Sequence, residues 1–353
     1  MNDWLQSAVY YLIVFFISIL LYFLFVLMIV HIKSSSIEKR KEAIRSKYHD
    51  VMDLYSLAGI NTFDKHRIFR TPLGIMVLDE VMRHSSAERI QEIKHLISES
   101  SYDNYLRRLL RSGDPMTKIF TVKMVADLNL KQYGQMIFEM VLHETENSDL
   151  QYHALMALSQ FGNEQALGKI FCNDRFTQKL TFRSIQEILK AYSGEKSRLY
   201  WILLDAPDLY VRRICIKRIG TEKIRRLGGF LTPYLNHSDY NIVIDTVRAL
   251  GQLKYREALP EIEKLTEHFR WEVRAACVTA LAQIDLKAEI GYITGGLFDE
   301  EWWVRRNAAS AVIQYEPIKD IVSYVVRSDD RFAKEILAAA IRKKELLEYG
   351  GAR

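Results

Sequence analysis

The side chains best suited to chemistry in this sequence are arginines and tryptophans that recur at a fixed spacing. Arg212, Arg274 and Arg305 are separated by multiples of thirty-one residues, and Trp271 and Trp302 are thirty-one residues apart. Arginine and tryptophan dominate the hot spots of protein–protein interfaces, because they bury a large area and also donate hydrogen bonds. These residue types in this arrangement therefore indicate non-covalent binding rather than catalysis.

Some members of these periodic columns are expected to pack within the repeat, and others to be available to a partner. Trp303 lies one step off the tryptophan column, and Arg213 and Arg306 directly follow periodic arginines, so packing does not obviously require them. Periodic arginines and tryptophans more often form a structural ladder, although they also lie along the same edge. The predicted partner-binding set comprises Arg213, Trp271, Trp302, Trp303, Arg305 and Arg306.

The sequence contains no spacing typical of a catalytic centre. The motifs HExxH, GxSxG, GxGxxG and the Walker glycine loop are all absent. His143 with Glu144 and Glu146 is the nearest approach to a metal-ligand cluster, but adjacent helical positions point to different faces. Asp245 either faces a groove or faces a neighbouring arginine. We therefore predict no catalytic residue, no metal and no cofactor, and a protein that is not an enzyme.

The thirty-one-residue period extends well beyond the arginines. It relates the apolar residues Val211, Ile242, Val273 and Val304, and it also relates a second column of small residues. That second column comprises Cys215, Thr246, Cys277 and Ala308. A repeat of this length with two apolar, helix-period segments is one helical hairpin, which buries its apolar face only by stacking on neighbours.

The segment Asp208-x-x-Val211-Arg212, followed by apolar residues up to Ile219-Gly220, resembles the second helix of a HEAT repeat. Later copies are imperfect, since Val243 stands where arginine is expected, and Arg270 and Glu301 replace the capping aspartate. The resemblance covers about residues 205–317. It implies an all-α protein, a right-handed α-solenoid, in which the aspartate caps the second helix and the arginine joins neighbouring repeats. HEAT arrays mostly bind other macromolecules.

The composition excludes several classes of protein. The 49 basic and 44 acidic residues give a net charge of +5, which does not by itself indicate a nucleic-acid partner, and we expect none. The three cysteines include no CxxC pair, and two of them share one repeat position. We expect them to be packing residues in a reducing compartment.

The N-terminal stretch from Leu5 to Val30 is uncharged and apolar, and a helix of about 20 such residues crosses a bilayer. A signal peptide, a buried core helix and an interfacial helix fit less well, because the run is long, uncharged and lacks a polar face. Only Asp3 precedes it, whereas basic residues follow from Lys33 to Lys47. The positive-inside rule then places the N-terminus outside and the rest in the cytoplasm, at the inner membrane.

The predicted organisation has four parts. Residues 1–33 form the transmembrane anchor, and residues 34–71 form a basic amphipathic juxtamembrane helix and connector. Residues 72–204 contain degenerate helical repeats, and residues 205–353 contain the regular repeats with a C-terminal capping helix. Ser34–Ser36 is expected to be a hinge or helix cap, and Ser85 with Glu88 a capping box for the next helix.

These observations predict a membrane-anchored cytoplasmic scaffold whose solenoid surface binds another protein, itself membrane-associated. The lipid bilayer is the second partner, through the N-terminal helix. One alternative is an accessory subunit of a bacterial membrane assembly, such as an envelope polysaccharide synthase with a glycosyltransferase partner, which HEAT-like chains with one span resemble. The other alternative is an uncharacterised solenoid enzyme.

Overall fold

The computed structural model describes residues 3–58, 71, 73–74, 77, 80–81, 84–99, 102–143 and 147–350. All regular secondary structure in these ranges is helical. The chain divides into two compact units, Met1–Ala157 and Leu158–Arg353. The predicted all-α class is confirmed, whereas the predicted divisions after residues 33, 71 and 204 stay predictions.

The first unit begins with a single long helix, α1 (Asp3–Ala58). Its segment Phe15–Ser46 is long and apolar enough to cross a membrane, and the apolar part of that segment is exposed rather than buried in the protein. The predicted hinge or cap at Ser34–Ser36 is wrong, because the helix continues through these serines without a break. Serine is only a moderately poor helix former, and neither Gly nor Pro occurs in α1. The predicted connector, residues 61–71, lies almost entirely outside the described residues.

Short helices complete the first unit, and α6 crosses the boundary to the second. They are α2 (Ala87–Glu99), α3 (Tyr102–Leu110), α4 (Pro115–Asp127), α5 (Gly134–His143) and α6 (Ser148–Gln160). Asp114 caps α4, since its carboxylate accepts hydrogen bonds from the backbone N–H groups of Met116 and Thr117. The capping residue of α2 is one position later than predicted: Ser86 Oγ accepts from Arg89 N at 3.3 Å, while Ser85 Oγ donates to a preceding carbonyl.

The second unit consists of stacked helical hairpins. It starts with α7 (Glu164–Phe171), α8 (Asp174–Thr177) and α9 (Phe182–Lys190). The hairpins that follow are α10 (Lys196–Leu204) with α11 (Leu209–Thr221), α12 (Gly228–Leu231) with α13 (Tyr240–Leu253), α14 (Leu259–Lys264) with α15 (Trp271–Asp285), α16 (Ile290–Gly295) with α17 (Trp302–Val312), and α18 (Ile318–Arg327) with α19 (Arg331–Gly350). The first helices α12, α14 and α16 are extended by 3₁₀ turns.

The second helices α11, α13, α15 and α17 pack against one another in sequence and form one layer. The periodic apolar columns supply the core of this layer. Val211, Ile242 and Val273 are fully buried, as are Cys215 and Cys277. The register drawn from the thirty-one-residue period is therefore confirmed for these helices.

Two parts of the second unit depart from a regular repeat. Helices α8 and α9 do not form one continuous helix, because Thr181 caps a new helix at Phe182 by accepting a hydrogen bond from Ser184 N. In the last hairpin the repeat shortens by two residues, since α17 begins at Trp302 and α19 at Arg331. Asp330 then occupies the capping place, and its carboxylate accepts from Ala333 N at 2.9 Å.

Glycines near the ends of α11 and α13 allow the closest approach between second helices. A Cβ atom added at Gly220 would lie 2.7 Å from Ala249 Cα, and one at Gly251 would lie 2.9 Å from Ala280 Cα. A side chain at either glycine would clash with the backbone of the next second helix, which cannot move aside as a flexible side chain can. These glycines thus set the spacing between consecutive repeats.

We expect Gly220→Ala to destabilise the protein by about 1–3 kcal/mol, because overpacking outweighs the gain in helix propensity. Gly295→Ala is the matched control, since a Cβ there meets nothing within 4 Å and should stabilise by up to about 1 kcal/mol. Unfolding in denaturant, followed by circular dichroism, measures both. Stabilisation by both substitutions would contradict the close helix approach.

Candidate functional site

The periodic arginines hold the turn that joins the two helices of each hairpin. Each donates from its guanidinium to a backbone carbonyl six residues earlier: Arg212 to Ala206 O at 2.8 Å, Arg274 to His268 O at 2.9 Å, and Arg305 to Asp299 O at 2.6 Å. The same bond in three hairpins shows a structural role. This role includes Arg305, which the sequence also placed in the partner-binding set.

Two of these arginines also reach the turn of the following hairpin. Arg274 donates to both carboxylate oxygens of Asp299, at 2.7 and 2.8 Å, and Arg212 Nη1 lies 3.2 Å from His237 Nε2. The hydrogen bonds that Arg274 donates to Asp299 raise the pKa of Arg274 above its usual range, although burial of the guanidinium opposes this. Arg274 is only 8% exposed, so this bidentate pair is a buried link between hairpins.

Arg213 also has a structural partner, which the sequence did not reveal. Its Nε donates to Asp245 Oδ2 at 2.7 Å, and Lys217 Nζ lies 3.4 Å from the other carboxylate oxygen. Asp245 is 2% exposed and faces this neighbouring arginine. The reason for predicting Arg213 as a partner-binding residue, that packing does not require it, is therefore wrong.

Trp302, Trp303 and Arg306 form a compact group at the start of α17. The two indole rings meet edge to face with centroids 4.8 Å apart, and the Arg306 guanidinium lies 5.3 Å from the centroid of each. The tryptophans are nevertheless 46% and 47% exposed. Cation–π attraction of this kind contributes about 0.5–1 kcal/mol at an exposed site and holds the three side chains together.

Phe332 at the start of α19 extends this group onto the next second helix. It is 61% exposed, and the Arg305 guanidinium lies 5.1 Å from its ring centroid. The sequence-based prediction missed Phe332, because it follows Trp303 by twenty-nine residues rather than thirty-one. We call Trp302, Trp303, Arg306 and Phe332 the aromatic–arginine cluster. Trp271, one hairpin earlier, is half-buried at the start of α15.

The cluster offers contact area and hydrogen-bond donors, and it contains no acid, base or nucleophile for catalysis. The Cys215 and Cys277 thiols are buried, and burial raises the pKa of each well above its usual range, which makes them unreactive. Within the described ranges, no group of three or more His, Cys, Asp or Glu side chains could hold a metal ion. His143 is described, whereas Glu144 and Glu146 lie outside the described residues.

A groove in the described structure lies beside α16. It has a volume of about 590 Å³, and Gly291, Gly295, Tyr292 and Glu267 are among its lining residues. A Cβ atom at either glycine would meet nothing within 4 Å, so the absence of side chains on α16 helps to open the groove.

Comparison with protein families supports the same architecture. Residues 229–314 match the family model of HEAT repeats. YibA of Escherichia coli is 16% identical, with 73% of this chain and 97% of that chain covered at a TM-score of 0.42. An engineered protein is also 16% identical, with 87% of this chain and 95% of that chain covered at a TM-score of 0.38. At these TM-scores neither likeness bears on what the chain does, and no curated protein matches the sequence.

The second unit is thus an α-solenoid of stacked helical hairpins whose turns are joined by buried arginine contacts. Residues 229–314 of this unit match HEAT repeats, inside the segment where the thirty-one-residue period is most regular. HEAT-repeat solenoids typically bind other proteins and are typically not catalysts.

Proposed function

We propose that this protein is a membrane-anchored cytoplasmic scaffold that binds a protein partner through the aromatic–arginine cluster. The observation that carries the proposal is the half-exposed Trp302–Trp303 pair, with the Arg306 guanidinium 5.3 Å from the centroid of each ring. Monomeric surfaces seldom expose large aromatic groups together, and such groups commonly mark interaction sites. Trp and Arg are also the residues most enriched among interface hot spots.

The anchor in this proposal is the apolar segment of α1, and the partner is itself membrane-associated. Two features of the sequence support this arrangement. No charged residue occurs between Leu5 and Val30, and the basic residues that follow the span number six up to Lys47 against none before it. The second unit would then lie in the cytoplasm, where its cysteines stay reduced.

We expect alkaline phosphatase fused to the C-terminus to be inactive in a bacterial host, because that enzyme needs the oxidising periplasm. A fusion to a fluorescent protein that matures in the cytoplasm is the control, and it should be bright. An active phosphatase fusion would overturn the proposed orientation.

The double substitution Trp303→Ala with Arg306→Ala should weaken partner binding by about thirtyfold or more, as loss of a 2 kcal/mol hot spot does, and should strongly reduce partner recovery. Recovery is measured by purifying the intact tagged chain in detergent and quantifying the co-purified protein by mass spectrometry. Helicity and melting temperature should stay at the wild-type values, because both side chains are exposed.

The matched control is Trp201→Ala with Arg226→Ala, which removes an exposed tryptophan from α10 and an exposed arginine from the 3₁₀ turn before α12. Trp201 is 52% exposed and meets Phe230, and the Arg226 side chain is 61% exposed. Partner recovery should be unchanged in this variant. Wild-type recovery with the cluster variant, or equal loss with the control variant, would refute the proposed site.

A further inference from the structure

The second helices carry an excess of basic side chains on the layer that bears the cluster. The carboxylates of α11, α13, α15 and α17 are Asp245, which pairs with Arg213, Asp285, which pairs with Arg256, and Glu272. The cations of these helices are Arg212, Arg213, Lys217, Arg218, Arg248, Arg274, Arg305 and Arg306. Carboxylates outside these helices neutralise two of the cations, since Glu222 pairs with Arg218 and Asp299 pairs with Arg274. The remaining cations still outnumber the remaining carboxylates in this layer.

Two of these cations are exposed and have no ion-pair partner among the described residues, namely Arg248 on α13 and Arg306 on α17. The Arg306 guanidinium contacts the two indole rings and makes no hydrogen bond to the part of the chain that the structure describes, so its N–H donors remain available. An arginine held on aromatic rings loses little further freedom when it binds a carboxylate with two parallel hydrogen bonds.

Helix α15 lies between the helices that carry these two arginines, and it has small residues at the equivalent positions. Ala275 occupies the register position of Arg306, and Thr279 occupies that of Arg248. Neighbouring helix axes lie about 8–10 Å apart, so the two arginines are separated by roughly 20 Å. An extended peptide rises about 3.3 Å per residue, and about six residues bridge that distance.

We propose that this layer binds an extended acidic segment of the partner, with carboxylates at Arg306 and Arg248 and an apolar side chain against Trp303. The inference rests on the proposed function and adds the chemistry of the partner. Charge complementarity selects the occupant, because an excess of exposed cations beside an aromatic group suits carboxylates that flank an apolar anchor.

The test uses a dye-labelled peptide, acetyl-Phe-Glu-Glu-Ser-Ser-Ser-Ser-Glu-Glu-amide. A second labelled peptide has the same residues in the reverse order. Its two glutamate pairs are six residues apart, to match the separation of the arginines. The full chain is placed in nanodiscs of phosphatidylcholine, and binding is followed by fluorescence anisotropy. The control peptide carries glutamine in place of every glutamate.

We expect Arg306→Gln and Arg248→Gln each to weaken peptide binding about fivefold or more, since each removes a charged hydrogen-bond donor. Lys319→Gln on α18 makes the same charge change away from this layer and should leave binding unchanged. Raising the salt concentration should weaken binding of the glutamate peptide, because exposed charges are screened.

The proposal is overturned if the glutamine peptide binds as tightly as the glutamate peptide. It is also overturned if phosphatidylglycerol vesicles bind the chain in an Arg306-dependent manner and the peptide does not. A third result is that the double variant of Trp303 and Arg306 loses the natural partner while Arg248→Gln binds it as the wild type does. That result would support the proposed function and reject an acidic partner. Retention of that partner by the double variant would instead reject the proposed function itself.

Discussion

Replacing Asp299 with alanine is expected to lower the free energy of unfolding by about 3 kcal/mol or more. The substitution leaves the Arg274 guanidinium buried without its bidentate partner, and the loss of one member of a buried pair typically costs about 3–5 kcal/mol. The two side chains are 9% and 12% exposed, so water compensates little. Chemical unfolding of the purified chain in detergent, followed by circular dichroism, measures the change.

Glu300→Ala provides the control for Asp299→Ala. Glu300 Oε1 also lies 3.2 Å from Arg274 Nη2, but its side chain is 81% exposed. Exposed ion pairs contribute about 0–1 kcal/mol, so this variant should unfold almost as the wild type does. Equal losses in the two variants would mean that burial of the Arg274–Asp299 pair is not what stabilises the turn.

Truncation of Leu281 to alanine is expected to cost about 2–5 kcal/mol. Leu281 lies on α15 and is fully buried where hairpins stack. The cavity should loosen the adjacent repeats before distant ones, because a solenoid is coupled mainly between nearest neighbours. Amide hydrogen exchange should therefore speed up first in α13, α15 and α17.

The matched control for Leu281→Ala is Leu209→Ala at the start of α11. Leu209 is 41% exposed, so its truncation removes much less buried area and should cost below about 1 kcal/mol. An unchanged unfolding curve for Leu281→Ala would show that the thirty-one-residue register does not describe the core.

The regular part of the fold was predictable because its apolar columns repeat at one interval. Val211, Ile242 and Val273 lie thirty-one residues apart and are all buried, since equivalent positions in a stack of hairpins meet equivalent neighbours. Local signals were less decisive. Ser34–Ser36 lies within a helix instead of ending one. The side chain that caps α2 is Ser86 and not Ser85, and the sequence could not distinguish them because adjacent serines are equally good capping candidates.

The candidate site was predictable only in part, for two physical reasons. Arg306 follows Trp302 by four residues and Trp303 by three on one helix, so its proximity to both rings follows from helix geometry. The pairing of Arg213 with Asp245 depends instead on how two helices thirty-two residues apart are rotated against each other. Phe332 was missed because the last hairpin is two residues shorter, and a fixed period cannot locate such a deletion.

The ion pairs at the two edges of the second unit, where the second helices begin and where they end, differ in burial. At the turns within hairpins the pair Arg274–Asp299 is buried, whereas the connections between hairpins carry Arg256–Asp285 and Lys196–Glu222, whose side chains are more exposed. Salt screens exposed pairs and has little effect on buried ones. As ionic strength rises, the contacts between hairpins should therefore loosen at the edge where the second helices end, while the edge where they begin stays closed. The aromatic–arginine cluster lies on that closed edge, so it should keep its shape while the opposite edge loosens.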